Sequence, residues 1–318
     1  MAQRLEVSKL FISKGFSVSS VLSKAGVMSS TWYSQAKDRK CPNPKIKGKK
    51  PSLFSKDRNG LDIANESIVE LLNAYRKAPF FENAAGYRKL SKYLDVDFGI
   101  KINHKKVYRL CTENNLLLPA NKKKRIKRSR ANINRIVNKP NQLWEFDIKY
   151  GYIHGENRFF YLLAFIDVFS RKVVGFYIGL SCNAKDLVFT LKDALLKEDI
   201  KNEHDLMIRS DNGTQMTSNL FYEAVEKLKQ LSTIKNHEFI PPATPNKNAH
   251  IESFFSIIET ELFQARYFSS FREAYEKTTE FINFYNNRRI HGSLRFKTPI
   301  QAINSFGLGI REIKDVRV

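Results

Sequence analysis

Leu206-Met207-Ile208-Arg209-Ser210-Asp211-Asn212-Gly213-Thr214-Gln215 is an apolar run that ends in a carboxylate and then turns. The run has the length of a short buried strand, and Asn212-Gly213 readily takes the positive φ that stops one. Asp211 therefore stands at a strand end, beside a loop. By itself such an Asp caps a turn. Joined by carboxylates from neighbouring elements, it holds a hard cation. The flanking sequence has to decide between these uses.

Upstream, Trp144-Glu145-Phe146-Asp147-Ile148-Lys149-Tyr150 alternates strictly. Trp144, Phe146, Ile148 and Tyr150 point one way, and Glu145, Asp147 and Lys149 point the other. His154-Gly155-Glu156-Asn157 reads as a turn, and Phe159 to Ile166 as a central strand, being almost unbroken in apolar residues. Asp167 to Lys172 turns the chain into Val173-Ile178, completing three strands in meander order. Helical spacing at Leu187, Leu191, Ala194 and Leu195 precedes the Asp211 strand; a helix around Phe221–Leu228 and a short strand over Leu231–Ile234 follow. Three antiparallel strands followed by alternating helix and strand predict an α/β fold, a mixed sheet with flanking helices. Asp167 ends a strand at a turn and reads as structural.

After the loop Ile240–Asn248 a helix begins near Ala249, with Ile251, Phe254, Phe255, Ile258 and Leu262 on one apolar stripe. At about 100° per residue Glu252 and Glu259 both lie on one edge of that stripe, and Glu261 on the other. Glu252 stands in the first turn, where negative charge suits the helix dipole; periodicity alone does not choose between Glu252 and Glu259. A further helix covers roughly Phe271–Arg289. Residues 304–318 carry no pattern.

Charge divides the chain. Of the net +22, residues 1–140 hold 31 Lys and Arg against 10 Asp and Glu, and residues 141–318 hold 23 against 22. The basic half has the footprint of a polyanion binder, with nucleic acid the expected partner rather than a membrane surface. No uninterrupted apolar run long enough to span a bilayer exists, and the first residues lack the apolar segment of a signal peptide. Cys41, Cys111 and Cys182 are widely separated, which fits a reducing cytoplasm.

Within that half, residues 17–25, Gly26 and Thr31–Lys37 have the helix, turn, helix spacing of a DNA-reading unit. Lys40–Pro51 reads as a basic linker. A second helical unit spans about Glu66–Leu118, and Lys105, Lys106 and Arg109 on its last helix suit a DNA groove. Lys122, Lys123, Lys124, Arg125, Lys127, Arg128 and Arg130 form a phosphate-tracking arm. The expected division is a helix-turn-helix-like unit over 1–40, a linker over 41–60, the second DNA-binding unit over 61–120, a basic linker over 121–140, a core over 141–305 and a tail over 306–318.

Residues 141–303 resemble the integrase-type catalytic core of insertion-sequence transposases of the IS-three family, whose catalytic part comes from a second reading frame. The resemblance rests on Asn141-Gln142-Leu143-Trp144 with Asp147 three residues on, and on Ile166-Asp167 with Phe169-Ser170-Arg171-Lys172. It continues in Ser210-Asp211-Asn212-Gly213-Thr214-Gln215, His250-Ile251-Glu252-Ser253-Phe254-Phe255, and the closing Tyr285-Asn286, Arg289, His291, Leu294 and Thr298-Pro299. Residues 66–117, with Gly86-Tyr87-Arg88-Lys89-Leu90, are similar to the helix-turn-helix that precedes this core.

The resemblance implies a ribonuclease-H-like fold and an Asp-Asp-Glu triad of Asp147, Asp211 and Glu252, choosing Asp147 over Glu145 and Glu252 over Glu259. It makes the nucleic-acid partner double-stranded DNA, and implies metal-dependent DNA cutting at element ends and joining to target DNA, a homo-multimer on paired ends, and a partner protein from an upstream frame. Three carboxylates suit two Mg²⁺ or Mn²⁺ ions. His250 reads as a structural residue, or one that supports the carboxylates from behind, rather than as a general base. Two departures stand out. Forty residues separate Asp211 from Glu252, more than the family's usual spacing, with the surplus expected in a Lys235–Thr244 loop. Glu259 also occupies a position where the family often has Lys or Arg; Lys247 or Arg266 would have to substitute. The alternative to an enzyme is an inactive, transposase-derived DNA-binding regulator; a ribonuclease H is disfavoured by the large basic half.

Overall fold

The structure, a computed structural model, describes residues 2–36, 52–119, 135–200, 205–231, 233–240, 248–310 and 313–318. It divides into two compact units, Met1–Leu53 and Phe54–Val318.

The first unit has three helices, α1 (Ala2–Ser13), α2 (Val18–Ala25) and α3 (Ser29–Ala36). Ser17 Oγ accepts the Ser20 N–H at 3.3 Å to start α2, and Gly26 ends it with φ 64, a conformation that favours glycine. The two helices read from the sequence are present. Helix α1 carried no readable stripe because Val7, Leu10 and Phe11 are exposed while Leu5 joins Leu22 and Val27 inside.

The second unit opens with a hairpin of β1 (Phe54–Lys56) and β2 (Asp62–Ala64), so the end of the expected linker is structured. Helices α4 (Asn65–Lys77), α5 (Phe81–Ala84), α6 (Tyr87–Phe98) and α7 (His104–Glu113) follow. Then come β3 (Ile136–Val137), β4 (Leu143–Ile153), β5 (Arg158–Asp167), β6 (Val173–Gly179), α8 (Ala184–Lys197), β7 (Met207–Ser210), α9 (Asn219–Gln230) and β8 (Asn236–Phe239). Helices α10 (Ala249–Ile258), α11 (Phe271–Asn287) and α12 (Pro299–Gly307) and strand β9 (Val316–Arg317) complete it.

The main sheet has the order β6-β5-β4-β7-β8. The pairs β6-β5 and β5-β4 are antiparallel, and β4-β7 and β7-β8 are parallel. This meander, followed by crossovers through helices, makes a five-stranded mixed sheet with flanking helices, the ribonuclease-H-like fold. The last strand lies at Asn236–Phe239, not at the apolar Leu231–Ile234. As an edge strand it needs an apolar face only on one side, so it shows no apolar run. Part of the expected Lys235–Thr244 loop is therefore strand; residues 241–247 lie outside the described residues. The tail also has structure: β9 pairs with β3, closing a small apolar cluster of Val137, Leu143, Val168, Phe169 and Met207.

Each face of the sheet carries its own core. Trp144, Phe146, Phe165 and Ile208 pack with Leu187 and Leu191 of α8 and Phe221 of α9. On the other face Phe160, Leu162 and Ala164 meet Ile251, Phe254 and Ile258 of α10 and Phe281 and Tyr285 of α11. That second core runs on without a break into α4–α7 through Ile68, Leu72, Leu90 and Leu94. Polar contacts strengthen the join. Tyr93 Oη donates to the Arg288 carbonyl at 2.9 Å and accepts the Ile290 N–H at 3.0 Å, and Arg288 pairs with Asp97 at 2.8 Å.

Gly155, in the β4–β5 turn, shows how closely two loops approach. Its N–H donates to the Phe268 carbonyl at 3.1 Å, and an added Cβ would run into the backbone carbonyl of Ser269. Gly155→Ala is expected to cost about 1–3 kcal/mol through this overpacking, read as a lower denaturation midpoint with an unchanged slope; an unchanged midpoint would refute the close approach.

Candidate active site

Asp147 lies on β4, on the face toward α10, because Trp144 and Phe146 commit the opposite face to the α8–α9 core. Strand β7 runs parallel to β4 with Leu143 opposite Met207, Trp144 opposite Ile208 and Glu145 opposite Arg209. Carried forward two residues, this register brings Asp211, one residue past β7, alongside Asp147. The turn-capping reading of Asp211 is the one its contacts bear out. Its Oδ1 accepts the Gly213 N–H at 3.0 Å, an Asx turn that orients the carboxylate. Asn212 Nδ2 donates to the Ile240 carbonyl at 3.0 Å and fastens the loop to the end of β8. Glu252 stands exposed in the first turn of α10, whose stripe of Ile251, Phe254, Phe255 and Ile258 is buried as its spacing requires. Helix α10 packs against β4 and β5.

Asp147 is the member of this set that feels the other two. The Asp147 carboxyl is pushed up to about 7, chiefly by burial, with the carboxylates of Asp211 and Glu252 adding to it and a bond from the Ile148 N–H opposing it. That N–H lies 2.7 Å from Asp147 Oδ1. Glu252, exposed as a residue, has its carboxyl shifted upward by partial desolvation against the protein and then by Glu145. Among the described residues no three His, Cys, Asp or Glu side chains close into a ready metal-ligand cluster. Like charges repel, and the acids sit close enough to perturb Asp147 without forming a closed set. The donor set is nonetheless all oxygen and anionic, which fits Mg²⁺ or Mn²⁺. A carboxyl that keeps its proton near neutrality is also one that a cation would deprotonate.

The neighbouring acids have other roles. Asp167 is fully buried and accepts the N–H groups of Asn141 and Ser170 at 3.0 and 2.8 Å, as a structural turn residue does. Glu259 pairs with Lys149 at 2.8 Å, so the charge at that helix position is met by a lysine two residues past Asp147. Of the two expected substitutes, Lys247 lies outside the described residues, and Arg266 sits over the Phe80 ring, 4.0 Å from Glu82. Glu261 is buried against Arg289, with contacts of 2.5 and 2.9 Å. His250 bonds to Glu145 and to neither Asp147 nor Asp211 among the described contacts.

Of the basic residues expected to meet DNA, Lys105 is exposed at the start of α7. Lys106 Nζ donates to the Phe54 carbonyl at 2.6 Å, and Arg109 lies 3.6 Å from Glu113, so both have partners within the chain. Lys89 is turned inward, donating to the Ala84 carbonyl at 3.1 Å. Lys122, Lys123, Lys124, Arg125, Lys127, Arg128 and Arg130 lie outside the described residues. Sequence reasoning missed Glu145 and Lys149 as partners of the site. The alternation that placed both on the Asp147 face was the signal for them.

Known proteins resemble this chain in sequence over the same segments. Residues 137–239 and 235–299 match two models described as integrase core domain, and residues 65–124 match an HTH-like domain. The transposase for insertion sequence element IS904 of Lactococcus lactis is 29% identical over 246 residues, covering 72% of this chain and 92% of that protein. The putative transposase InsK for IS150 of Escherichia coli is 28% identical over 231 residues, covering 69% and 77%. Among solved structures, the HTLV-2 integrase catalytic core domain in complex with magnesium aligns with TM-score 0.38 and 15% identity, over 52% of this chain and 97% of that one. The chain is thus an integrase-core protein with an HTH-like domain ahead of the core. More particularly, it carries the transposase-type core of an insertion sequence, consistent with the IS-three family.

Proposed function

We propose that this protein is a DNA transposase that cuts at the ends of its element and joins the freed 3′-hydroxyls to target DNA, with Asp147, Asp211 and Glu252 as the catalytic carboxylates. The observation that carries this reading is the β4–β7 register that sets Asp211 alongside Asp147, whose carboxyl is raised chiefly by burial and further by Asp211 and Glu252. Two divalent cations, when bound by these three residues, supply Lewis-acid activation of a water or 3′-hydroxyl and charge stabilisation of the leaving 3′-oxygen. Asp147 offers its ligand oxygens from the rigid centre of the sheet, and Asp211 offers its own from a loop that the Asx turn and Asn212 hold in place. Glu252 adds a third carboxylate from a helix locked to the sheet by its apolar stripe. The oxygen that attacks phosphorus loses its proton to solvent, and the departing 3′-oxygen gains one.

The DNA-binding half reads the terminal repeats in this proposal, with Lys105 and the basic arm over 122–130 tracking phosphate. The sequence divisions between DNA-binding units and core, a multimer on paired ends, an upstream-frame partner and a cytoplasmic, nucleoid-associated location belong to the same reading.

The test is cleavage and strand transfer on oligonucleotides carrying the element's ends, with Mg²⁺ or Mn²⁺, comparing wild type with Asp211→Asn. The expected result is metal-dependent nicking and joining by the wild type, and a loss on the order of 10³-fold in the variant with end binding retained. Binding without cutting by either protein would overturn the enzyme and leave a DNA-binding regulator.

A further inference from the structure

Beneath the three carboxylates lies a second, buried group of charges that the proposed chemistry does not use. Glu145 is 0% exposed. Its Oε2 accepts the backbone N–H groups of His250 at 2.8 Å and Ile251 at 3.1 Å. Its Oε1 lies 3.0 Å from His250 Nδ1 and 3.8 Å from Arg209 Nη1. Arg209 is itself buried and reaches on to Glu238 through Nε at 3.1 Å and Nη2 at 3.0 Å.

The positions of these residues in the chain carry the argument. Glu145 precedes Asp147 by two residues on β4, and Arg209 precedes Asp211 by two at the end of β7. His250 precedes Glu252 by two in the first turn of α10. Along a strand, residues two apart share a face. The buried group therefore touches β4, which carries Asp147, β7, which leads to Asp211, and α10, which carries Glu252; on the helix His250 and Glu252, two residues apart, point to different sides.

The start of α10 shows why the contact is needed. Asn248, in the capping position, makes no side-chain bond to the helix amides. The first-turn N–H groups take their acceptor from Glu145 instead, more than a hundred residues away, and a carboxylate suits the positive end of a helix. Arg209 then links the same carboxylate to β7. One side chain joins the helix of Glu252 to the strand of Asp147 and, through Arg209, to the strand that leads to Asp211.

We infer that Glu145 is the positioning residue of this site: with Arg209 and His250 it sets the spacing of Asp147, Asp211 and Glu252, and with it the affinity for divalent cations. The inference rests on the proposed triad. Glu145 does not meet the reacting atoms, because its carboxylate is occupied by the helix amides and enclosed. Partners that orient metal-binding side chains in this way typically govern affinity or activity by about 10–100-fold.

The experiment uses the full chain as wild type, Glu145→Gln, Glu145→Ala and Asp211→Asn. Mn²⁺ binding is read by electron paramagnetic resonance, amide hydrogen exchange is followed over residues 248–255, and melting temperature is measured in parallel. Glu145→Gln keeps the shape and one carbonyl acceptor. It is expected to weaken Mn²⁺ binding by about 10–100-fold with its melting temperature and DNA-end binding close to wild type. Glu145→Ala removes the acceptor altogether, and the amides of His250 and Ile251 are expected to exchange at least roughly tenfold faster, with Mn²⁺ binding weaker than in Glu145→Gln. If Glu145→Ala does not fold, the Gln variant decides alone. Wild-type Mn²⁺ affinity in Glu145→Gln, or unchanged exchange in a folded Glu145→Ala, would overturn the inference. If wild type and Asp211→Asn bind Mn²⁺ equally, the triad reading itself falls. Exchange at 250–251 still reports separately on whether Glu145 holds the helix.

Discussion

Asp147→Asn is expected to abolish DNA cutting and, in the same protein, to raise the melting temperature in EDTA at pH 8. Both effects come from one carboxylate. For cutting, the loss of an anionic ligand removes several kcal/mol of charge stabilisation, a fall on the order of 10³-fold or more. For stability the sign follows from proton linkage. The carboxyl titrates at about 7 in the folded chain, against an ordinary value of 3.8. Between these values the folded state keeps a proton that the unfolded chain releases. Folded stability therefore falls as pH rises through that window, and the whole penalty is present above it. At about 1.4 kcal/mol per pH unit the ceiling is roughly 4 kcal/mol; partial solvent access brings the expected gain for Asn nearer 2–3 kcal/mol. The gain should vanish near pH 4, where folded Asp147 is already protonated. Millimolar Mn²⁺ should raise the melting temperature of the wild type and not that of the variant. Melting curves at pH 4 and pH 8, with and without Mn²⁺, decide the matter. A variant that melts below wild type at pH 8 would sink this account of Asp147.

The second large effect lies away from the triad. Arg289→Met is expected to destabilise the protein by about 3–5 kcal/mol, because it strands Glu261 in the interior. Glu261 and Arg289 are both buried and share two short contacts, and Arg289 Nη1 also reaches His291 Nδ1 at 3.5 Å. Burial and the Arg289 charge keep His291 well below its usual range, so it stays neutral and Nδ1 accepts. Lys89 is pushed down to about 7 by burial and then by Arg289, while Glu261 pulls it the other way. With Arg289 gone, Lys89 becomes the cation left to answer Glu261. The loss should therefore be larger at pH 9 than at pH 6, since Lys89 must hold its proton to serve. Double replacement, Glu261→Leu with Arg289→Met, should recover much of the loss, because neither charge is then left unpaired. Urea denaturation of the three variants at both pH values measures this. A single variant as stable as wild type would show that the pair is not what holds this part of the core.

How much of this was legible beforehand follows from what each residue depends on. Strict alternation from Trp144 to Tyr150, the apolar run from Phe159 to Ile166 and the stripe of α10 are local patterns, and each formed where its spacing placed it. Strand β8 and helix α1 were not readable, because an edge strand and a thinly buried helix need little apolar periodicity. The three acids were singled out by order and motif, yet periodicity did not choose between Glu252 and Glu259. Glu259 turns out to face Lys149, and Glu252 to perturb Asp147.

The amino-acid order by itself determined the α/β class, the meander of three strands, the split between a basic half and a nearly neutral one, and a short list of acidic candidates. These depend on neighbours a few residues apart, or on composition. Tertiary structure alone decided that Glu145 is enclosed and caps a distant helix, that Lys149 answers Glu259, and that α4–α7 share a core with α10 and α11. Each of these joins residues far apart along the chain. Such a charge costs too much to bury unless its partner arrives from elsewhere, and local sequence does not encode that arrival.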